Sequence, residues 1–205
     1  KIKVLHIYKT YFPESLGGVE QFIRQLSMAT KSHGVQSDVL ALTNQPTRVH
    51  RYQGQILYSV YRNIELASMG VSLDSIYLLR KIIKRYDILH CHYPWPYGDL
   101  LYLIIESKTP AILTYHSDIV RQKNLEKVYR PLQQRFLNQV SAIAVTSNNL
   151  LDTSVTLEKF RHKTRVIPIG LNMAHYPALC AERQHHWKEK FGDQFFLFIG
   201  VLRYY

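Results

Sequence analysis

Short apolar runs of strand-like character alternate with segments whose apolar residues recur at helical spacing, almost without interruption. That alternation restricts the chain to successive β-α-β units around a mainly parallel sheet. The strand-like runs are Ile2 to Tyr8, Ser37 to Thr43, Gln55 to Tyr61, Asp87 to His92, Ala111 to His116, Ala142 to Ser147 and Thr164 to Ile169. Between them Val19, Phe22, Ile23, Leu26 and Ala29 repeat with the period of a helix, as do Ile76, Leu79, Ile82 and Ile83, and then Leu125, Val128, Leu132 and Phe136. Gly34, Pro110 and Pro168 interrupt the chain where one element should give way to the next. Around Gln53-Gly54, the alternation of Val49, Ile56, Tyr58 and Val60 predicts a hairpin or a bent strand. The expected fold is α/β, a Rossmann-like doubly wound sheet.

The 205 residues suffice for one substantial domain and part of another, and 46% apolar residues supply an ordinary core. No apolar run approaches the roughly 20 residues needed to span a bilayer, and no signal peptide precedes the first strand. Cys91 and Cys180 make no disulfide framework, so a reducing cytoplasm is the expected compartment. The net charge of +11 calls for an acidic partner: nucleic acid, anionic lipid or a phosphorylated substrate.

The end of the chain departs from the alternation. A polar, helical segment from Ala181 to Lys190 precedes Phe195-Phe-Leu-Phe-Ile-Gly200, which reads as a buried strand. One strand cannot bury both its faces alone, so residues 194–205 are expected to begin a second, truncated domain. Residues 1–178 would form the first domain and residues 179–193 the linker and helix between them.

In doubly wound sheets ligands bind beyond the carboxyl ends of the strands, where strand order reverses. Gly17-Gly18-Val19-Glu20 follows the first strand and opens a helix, whose free N–H groups and dipole favour an anion. The alternative is a loop that needs glycine for positive φ angles. The loop from Lys9 to Gly17 is long and lacks the G-x-G-x-x-G spacing of a dinucleotide site, and reads instead as a flap over a substrate. His90 and His92 share one face of their strand, and His116 approaches from the next. Three histidines allow a zinc site, but packed or hydrogen-bonded histidines are the commoner outcome, and no acidic or cysteine ligand has supporting spacing. Tyr93-Pro94-Trp95-Pro96-Tyr97 places three aromatics past the strand end, either as platforms for a sugar or a base or as a rigid loop covering the sheet. Lys123, Lys127, Arg130 and Arg135 flank the apolar stripe of Leu125, Val128, Tyr129, Leu132 and Phe136, a pattern that suits either an anionic membrane surface or simple packing on the core. Pro131 requires that this helix start there or bend.

The ordered set G-G-V-E, H-C-H-Y-P, T-Y-H-S-D, A-V-T-S-N, R-V-I-P-I-G-L-N and F-I-G-V-L-R-Y-Y resembles the amino-terminal half of GT-B type, retaining glycosyltransferases of family four. The closing Val201-Leu202-Arg203-Tyr204-Tyr205 resembles bacterial mannosyltransferases of surface-polysaccharide and lipopolysaccharide assembly. The resemblance implies two Rossmann-like domains, the first facing the acceptor and the second the nucleotide-sugar donor, here GDP-mannose. It implies that Gly17, Gly18 and Arg203 approach the donor diphosphate, and that His116 sits by the transferred sugar as the catalytic residue. Tyr11, His92, Tyr93, Trp95 and Asp118 would line the acceptor side of the cleft. Two departures stand out: Val201 occupies the position after Gly200 where the family carries arginine, and Ile169 stands where the P-x-G turn often carries asparagine. The family's later lysine and paired carboxylates would fall beyond Tyr205, so this chain by itself is expected to be an inactive fragment.

The chain has no Asp-x-Asp, the usual sequence signal for a carboxylate-bound divalent ion in nucleotide-sugar chemistry, so no metal or other cofactor is expected. The acceptor would be a glycan or lipid-linked glycan, with peripheral contact on the inner membrane face through Lys123, Lys127, Arg130 and Arg135. Two rival readings come from other classes. A nucleic-acid-binding domain would account for the charge but leaves the glycines and histidines unused, so nucleic acid is not an expected partner. A non-catalytic sugar-binding module would need no donor domain.

Overall fold

The computed structural model describes residues 1–66, 69–119, 123–172 and 178–198. They fall into two compact units, Lys1–Gly170 and Leu171–Tyr205.

The first unit runs β1 (Ile2–Tyr8), α1 (Gly18–Lys31), β2 (Val35–Thr43), β3 (Arg48–Tyr52), β4 (Gln55–Tyr61), β5 (Ile64–Leu66), β6 (Met69–Val71), α2 (Leu73–Ile82), β7 (Ile88–Tyr93), α3 (Pro96–Ile105), β8 (Ala111–Tyr115), α4 (Lys123–Gln139), β9 (Ala142–Val145), α5 (Asn148–Thr153) and β10 (Thr164–Val166). Eight strands form one sheet in the order β10-β9-β8-β7-β1-β2-β4-β3, parallel except for β3, which pairs antiparallel with β4. The β3–β4 hairpin turns at Gln53 and Gly54, both at positive φ, as the alternation around them anticipated. β5 and β6 form a separate antiparallel ribbon that the sequence did not announce. Winding proceeds outward from β1 in both directions, so the order reverses between β1 and β7.

Strand faces divide the interior. Leu5, Ile7, Leu40, Leu42, Leu89, Cys91, Tyr93, Leu113 and Tyr115 pack on the side of α2, α3 and α4. Tyr8, Val39, Ala41 and Leu57 pack on the other side, against Ile23, Val19 and Phe22 of α1. Burial on both faces explains why these strands are nearly continuous apolar runs. His90 and His92 are the exceptions in β7, polar on one face and flanked by Leu89, Cys91 and Tyr93 on the other.

Several strand ends differ from expectation because a competing bond takes over. Asp87 stays outside β7 and accepts the backbone N–H of Lys3 at 2.7 Å. β9 stops at Val145 because Ser147 caps α5, accepting the N–H of Leu150 at 3.2 Å. β10 stops at Val166; Ile167 still donates to the Val145 carbonyl, but Pro168 has no N–H with which to continue. The aromatic segment after β7 is no covering loop: Pro96 opens α3, occupying a position where its missing N–H costs nothing. Pro131 neither starts α4 nor ends it, but lies inside the helix.

In the second unit α6 (Ala181–Phe191) forms where the polar segment predicted a helix. The expected buried strand is not formed at Phe195–Phe198, which carries no strand and is exposed, Phe196 fully so. Among the described residues this unit has no strand for that run to pair with, and an unpaired strand buries nothing.

Candidate functional site

The switch point of the sheet is lined by histidines. Parallel register places His6 of β1 opposite His90 of β7, and His92 of β7 opposite Thr114 of β8. The His90 and His92 rings stack at 4.4 Å between centroids, His6 lies 4.8 Å from His90, and His116, directly after β8, stacks on His92 at 5.6 Å. His116 is fixed there by its own N–H, which donates to the Tyr93 carbonyl at 3.1 Å. The rings are joined by hydrogen bonds: His6 Nδ1 to His92 Nε2 at 3.1 Å, and His92 Nδ1 to His116 Nε2 at 3.3 Å. His90 Nε2 is bonded separately to Thr114 Oγ1 at 2.7 Å. Phe22 of α1 turns its ring edge-on to both His92 and His116.

His6, His90 and His92 are buried, while His116 is partly exposed at the strand end. Burial disfavours the imidazolium form, pulling His6 down to about 3 and His116 to about 4, with His90 and His92 held well below the ordinary value. The group is neutral at physiological pH. Ring nitrogens of His6, His90 and His92 lie within 4.8 Å of one another, close enough for a shared cation. Each ring already spends a nitrogen on a hydrogen bond, however, which the commoner reading of clustered histidines anticipated.

The start of α1 lies next to this group, since Phe22 follows Gly18 by one helical turn. Gly17 is the residue before the helix at φ −86°, so positive φ is not the reason for glycine there. What a side chain there would meet is Glu20, whose buried carboxylate folds back into the space a Cβ on Gly17 would take. Glu20 is buried and accepts the hydroxyls of Thr10 at 2.7 Å and Ser15 at 2.6 Å. At Gly18 the same space is empty. A helix N-terminus with an open glycine and a secured carboxylate behind it leaves unpaired N–H groups for an incoming anion.

Other expected cleft residues separate from the histidines. Tyr93 belongs to the opposite face, where it stacks on Tyr115 at 4.3 Å and receives a bond from Gln133 Nε2 at 2.7 Å. Asp118 accepts Tyr115 Oη at 2.6 Å and Ser154 Oγ at 2.8 Å, and with Tyr93, Gln133, Thr153 and Thr156 lines a cavity of about 170 Å³. Trp95 is core, enclosed by Tyr8, Tyr97 and Gly98, and Tyr97 is buried with it. Neither ring has a face to offer a sugar, because the chain turns straight into α3. Tyr11 is likewise buried, packed on Phe12 and Tyr52 with its hydroxyl donating to Gln55. Arg203 lies outside the described residues. So do the side chains of Lys123 and Lys127, whereas Arg130 and Arg135 are exposed on α4.

Two residues escaped sequence reasoning. His6 is in phase with Tyr8 on β1, and a doubly wound order puts β1 beside β7, so its place was there to be found. Glu20 stands at the third helical position, where a carboxylate commonly reaches back to the residue before the helix.

The family model for Glycosyltransferase Family 4 matches residues 16–175. The chain is 42% identical over 205 residues to D-rhamnosyltransferase WbpZ of Pseudomonas aeruginosa, covering all of this chain and 54% of that protein. It is 41% identical over 210 residues to O-antigen chain mannosyltransferase C of Escherichia coli, covering all of this chain and 55% of that protein. It thus spans about half the length of these relatives. Among solved structures it superposes on sucrose-phosphate synthase from Thermosynechococcus elongatus with a TM-score of 0.61 at 17% identity, covering 92% of this chain and 53% of the other. It superposes on Anabaena Alr3699/HepE in complex with UDP-glucose with a TM-score of 0.60 at 13% identity, covering 94% and 50%. With its sheet order, its glycine-opened first helix and this match over most of its length, the chain belongs to Glycosyltransferase Family 4.

Proposed function

We propose that the chain is the acceptor-side half of a retaining hexosyltransferase of bacterial surface-polysaccharide assembly, which moves a D-manno-configured sugar from a guanosine diphosphate donor to a glycan or lipid-linked glycan. The observation that carries this reading is His116: a neutral, partly exposed imidazole at the end of β8, held by His92 and by Phe22 one turn from the start of α1. Such a placement sets a polar group for the sugar beside N–H groups suited to the diphosphate. Breaking the bond between them builds negative charge on the leaving phosphate and positive charge on the anomeric carbon, and fixed dipoles stabilise that separation without reorganising. His116 orients and polarises the sugar end, and the acceptor hydroxyl attacks from the face the diphosphate leaves, passing its proton to the departing phosphate oxygen as the bond to the anomeric carbon breaks. Charge stabilisation here rests on backbone N–H groups and needs no resident metal from these residues.

The sugar class rests on the relatives. One is named for D-rhamnose and one for mannose, and D-rhamnose is mannose without its C6 oxygen. The shared configuration is the part carried over. No helix among the described residues is long and apolar enough to cross a membrane. A lipid-linked acceptor would bring the protein to a membrane surface peripherally, and the exposed cations of α4 are the candidate contact, with the enzyme otherwise cytoplasmic.

The test is to incubate the full-length protein with GDP-mannose and GDP-D-rhamnose, and with UDP- and ADP-sugars as controls, in the presence of lipid-linked mannan primers. Turnover with a GDP-sugar and retained anomeric configuration in the product are expected. Turnover restricted to the control donors would overturn the donor assignment, and inversion would overturn the mechanism.

A further inference from the structure

The hydrogen bonds among His6, His92 and His116 form a chain in which each interior nitrogen faces exactly one partner. His6 uses Nδ1; His92 uses Nε2 on one side and Nδ1 on the other; His116 uses Nε2. A neutral imidazole has one N–H and one lone pair, so His92 must donate on one side and accept on the other. Only two arrangements satisfy both bonds. If the protons point toward His116, then His6, His92 and His116 all carry hydrogen on Nδ1. If they point away, all three carry it on Nε2. Any mixed pattern sets two lone pairs or two N–H groups against each other in a buried site, which low dielectric makes costly.

We propose that His6, His92 and His116 are one tautomeric unit, in which the buried His6 and His92 are positioning residues that decide whether His116 Nδ1 presents a proton or a lone pair to a ligand. The neutrality this requires follows from burial, which keeps all three uncharged at neutral pH. His90, bonded to Thr114 instead, is stacked on the unit but lies outside it. A ligand hydroxyl that accepts from His116 would select one state and a ligand that donates would select the other, with both bonds reversing together.

The experiment is long-range proton–nitrogen correlation NMR on the 205-residue chain labelled with nitrogen-15 in histidine, at neutral pH and without donor or acceptor. The three rings should show the same tautomer, or exchange between the two states together. Nε2–H on His6 with Nδ1–H on His92 would leave two lone pairs facing each other, as a captured cation requires, and would overturn the proposal; so would any other mixed pattern. His6→Phe should shift the His116 ring nitrogens, whereas His90→Gln should leave the His116 tautomer as it was. If His6→Phe does not fold, the wild-type pattern alone decides. The consequence for catalysis rests on His116 being the sugar-side group, but the spectrum is read without sugar transfer, so the two ideas fail separately.

Discussion

The Glu20 carboxylate occupies the space that a side chain at Gly17 would need, with Oε2 only 2.2 Å from where a Cβ would stand. Gly17 is therefore glycine for a packing reason, and Gly18, one residue on with nothing in the same space, is not. The two substitutions should behave differently. Gly17→Ala pushes a buried carboxylate aside and strains its bonds to Thr10 and Ser15, and since a hydrogen bond to a charged group contributes about 1.5–3 kcal/mol, a loss of up to about 2 kcal/mol is expected. Gly18→Ala should leave stability unchanged or raise it by up to about 1 kcal/mol, since alanine suits a helix better. If a diphosphate approaches there, Gly18→Ala should still weaken nucleotide binding by the full-length protein. Chemical denaturation paired with calorimetric titration of GDP separates the two roles, and equal stability losses would refute the distinction.

Acid should unfold the first unit unusually early. His6, His90, His92 and His116 all have folded-state values below the ordinary 6.5, so below that pH the unfolded chain takes up protons that the folded one refuses. Stability is fully present above about pH 7 and falls as pH drops toward 4. Each histidine costs about 1.4 kcal/mol per pH unit in that window, and four together are comparable to the whole stability of a domain by about pH 5. Urea midpoints measured from pH 8 to pH 4.5 should drop steeply below 6.5. A flat profile would mean that the histidines protonate within the fold.

Asp99 produces the opposite slope. Buried on α3, it accepts the Tyr129 hydroxyl, and burial pushes its carboxyl well above the ordinary range. A raised acid favours folding only while it stays protonated, so its contribution declines as pH rises from about 4 toward its folded value, at about 1.4 kcal/mol per unit. Between pH 4 and 6.5 the four histidines outweigh it. Asp99→Asn, which keeps an acceptor for Tyr129, should raise the melting temperature at neutral and mildly alkaline pH, where the buried carboxyl is disfavoured relative to the unfolded chain. A lower melting temperature at pH 8 would count against this account.

Contact with anionic lipid is testable on α4. Its apolar stripe is spent on the core through Tyr129, Leu132, Phe136 and Leu137, while Val128, Arg130 and Arg135 are exposed. Four cations at about 1 kcal/mol each set an upper bound near 4 kcal/mol, an attraction in the millimolar range that salt weakens. Sedimentation with vesicles containing anionic lipid should be stronger for the parent than for a variant with Lys123, Lys127, Arg130 and Arg135 changed to Gln. Equal binding would assign the net positive charge to another surface.

The sequence made the sheet legible because strands buried on both faces leave unbroken apolar runs; β1 and β4 were placed to the residue. It failed where apolarity alone had to decide. Phe195–Phe198 asks for cover, but a run of phenylalanines cannot say whether a partner strand is at hand. In Tyr93-Pro-Trp-Pro-Tyr97, aromatics past a strand end read as platforms or as a covering loop, whereas Pro96 was the signal that a helix starts and takes Trp95 and Tyr97 inside. The site was half legible for a similar reason. His90, His92 and His116 stand out at strand ends, but His6 joins them only through the sideways neighbour relation of β1 and β7, which spacing along the chain does not encode. Tyr93, next to His92 on β7, points to the other side because side chains alternate along a strand, and Asp118, in the loop after β8, is drawn there by its bonds to Tyr115 and Ser154.

That division predicts different consequences for neighbouring histidines. His116 is partly exposed and ends the hydrogen-bonded chain, so His116→Ala in the full-length protein should lower kcat by about a hundredfold or more, the usual loss when a fixed polar group at a reacting centre is removed. Its melting temperature should fall less than that of a variant at His90, because at the exposed rim water can replace His116 as the partner of His92 Nδ1. His90 is 5% exposed and bonded to Thr114, so His90→Ala leaves a cavity and an unpartnered hydroxyl in the core and should cost about 2–4 kcal/mol of stability. Enzyme that remains folded should retain most of its kcat. Measuring both quantities for both variants decides the matter, because a swap of the two outcomes would place the sugar at the inner end of the histidine stack rather than at its rim.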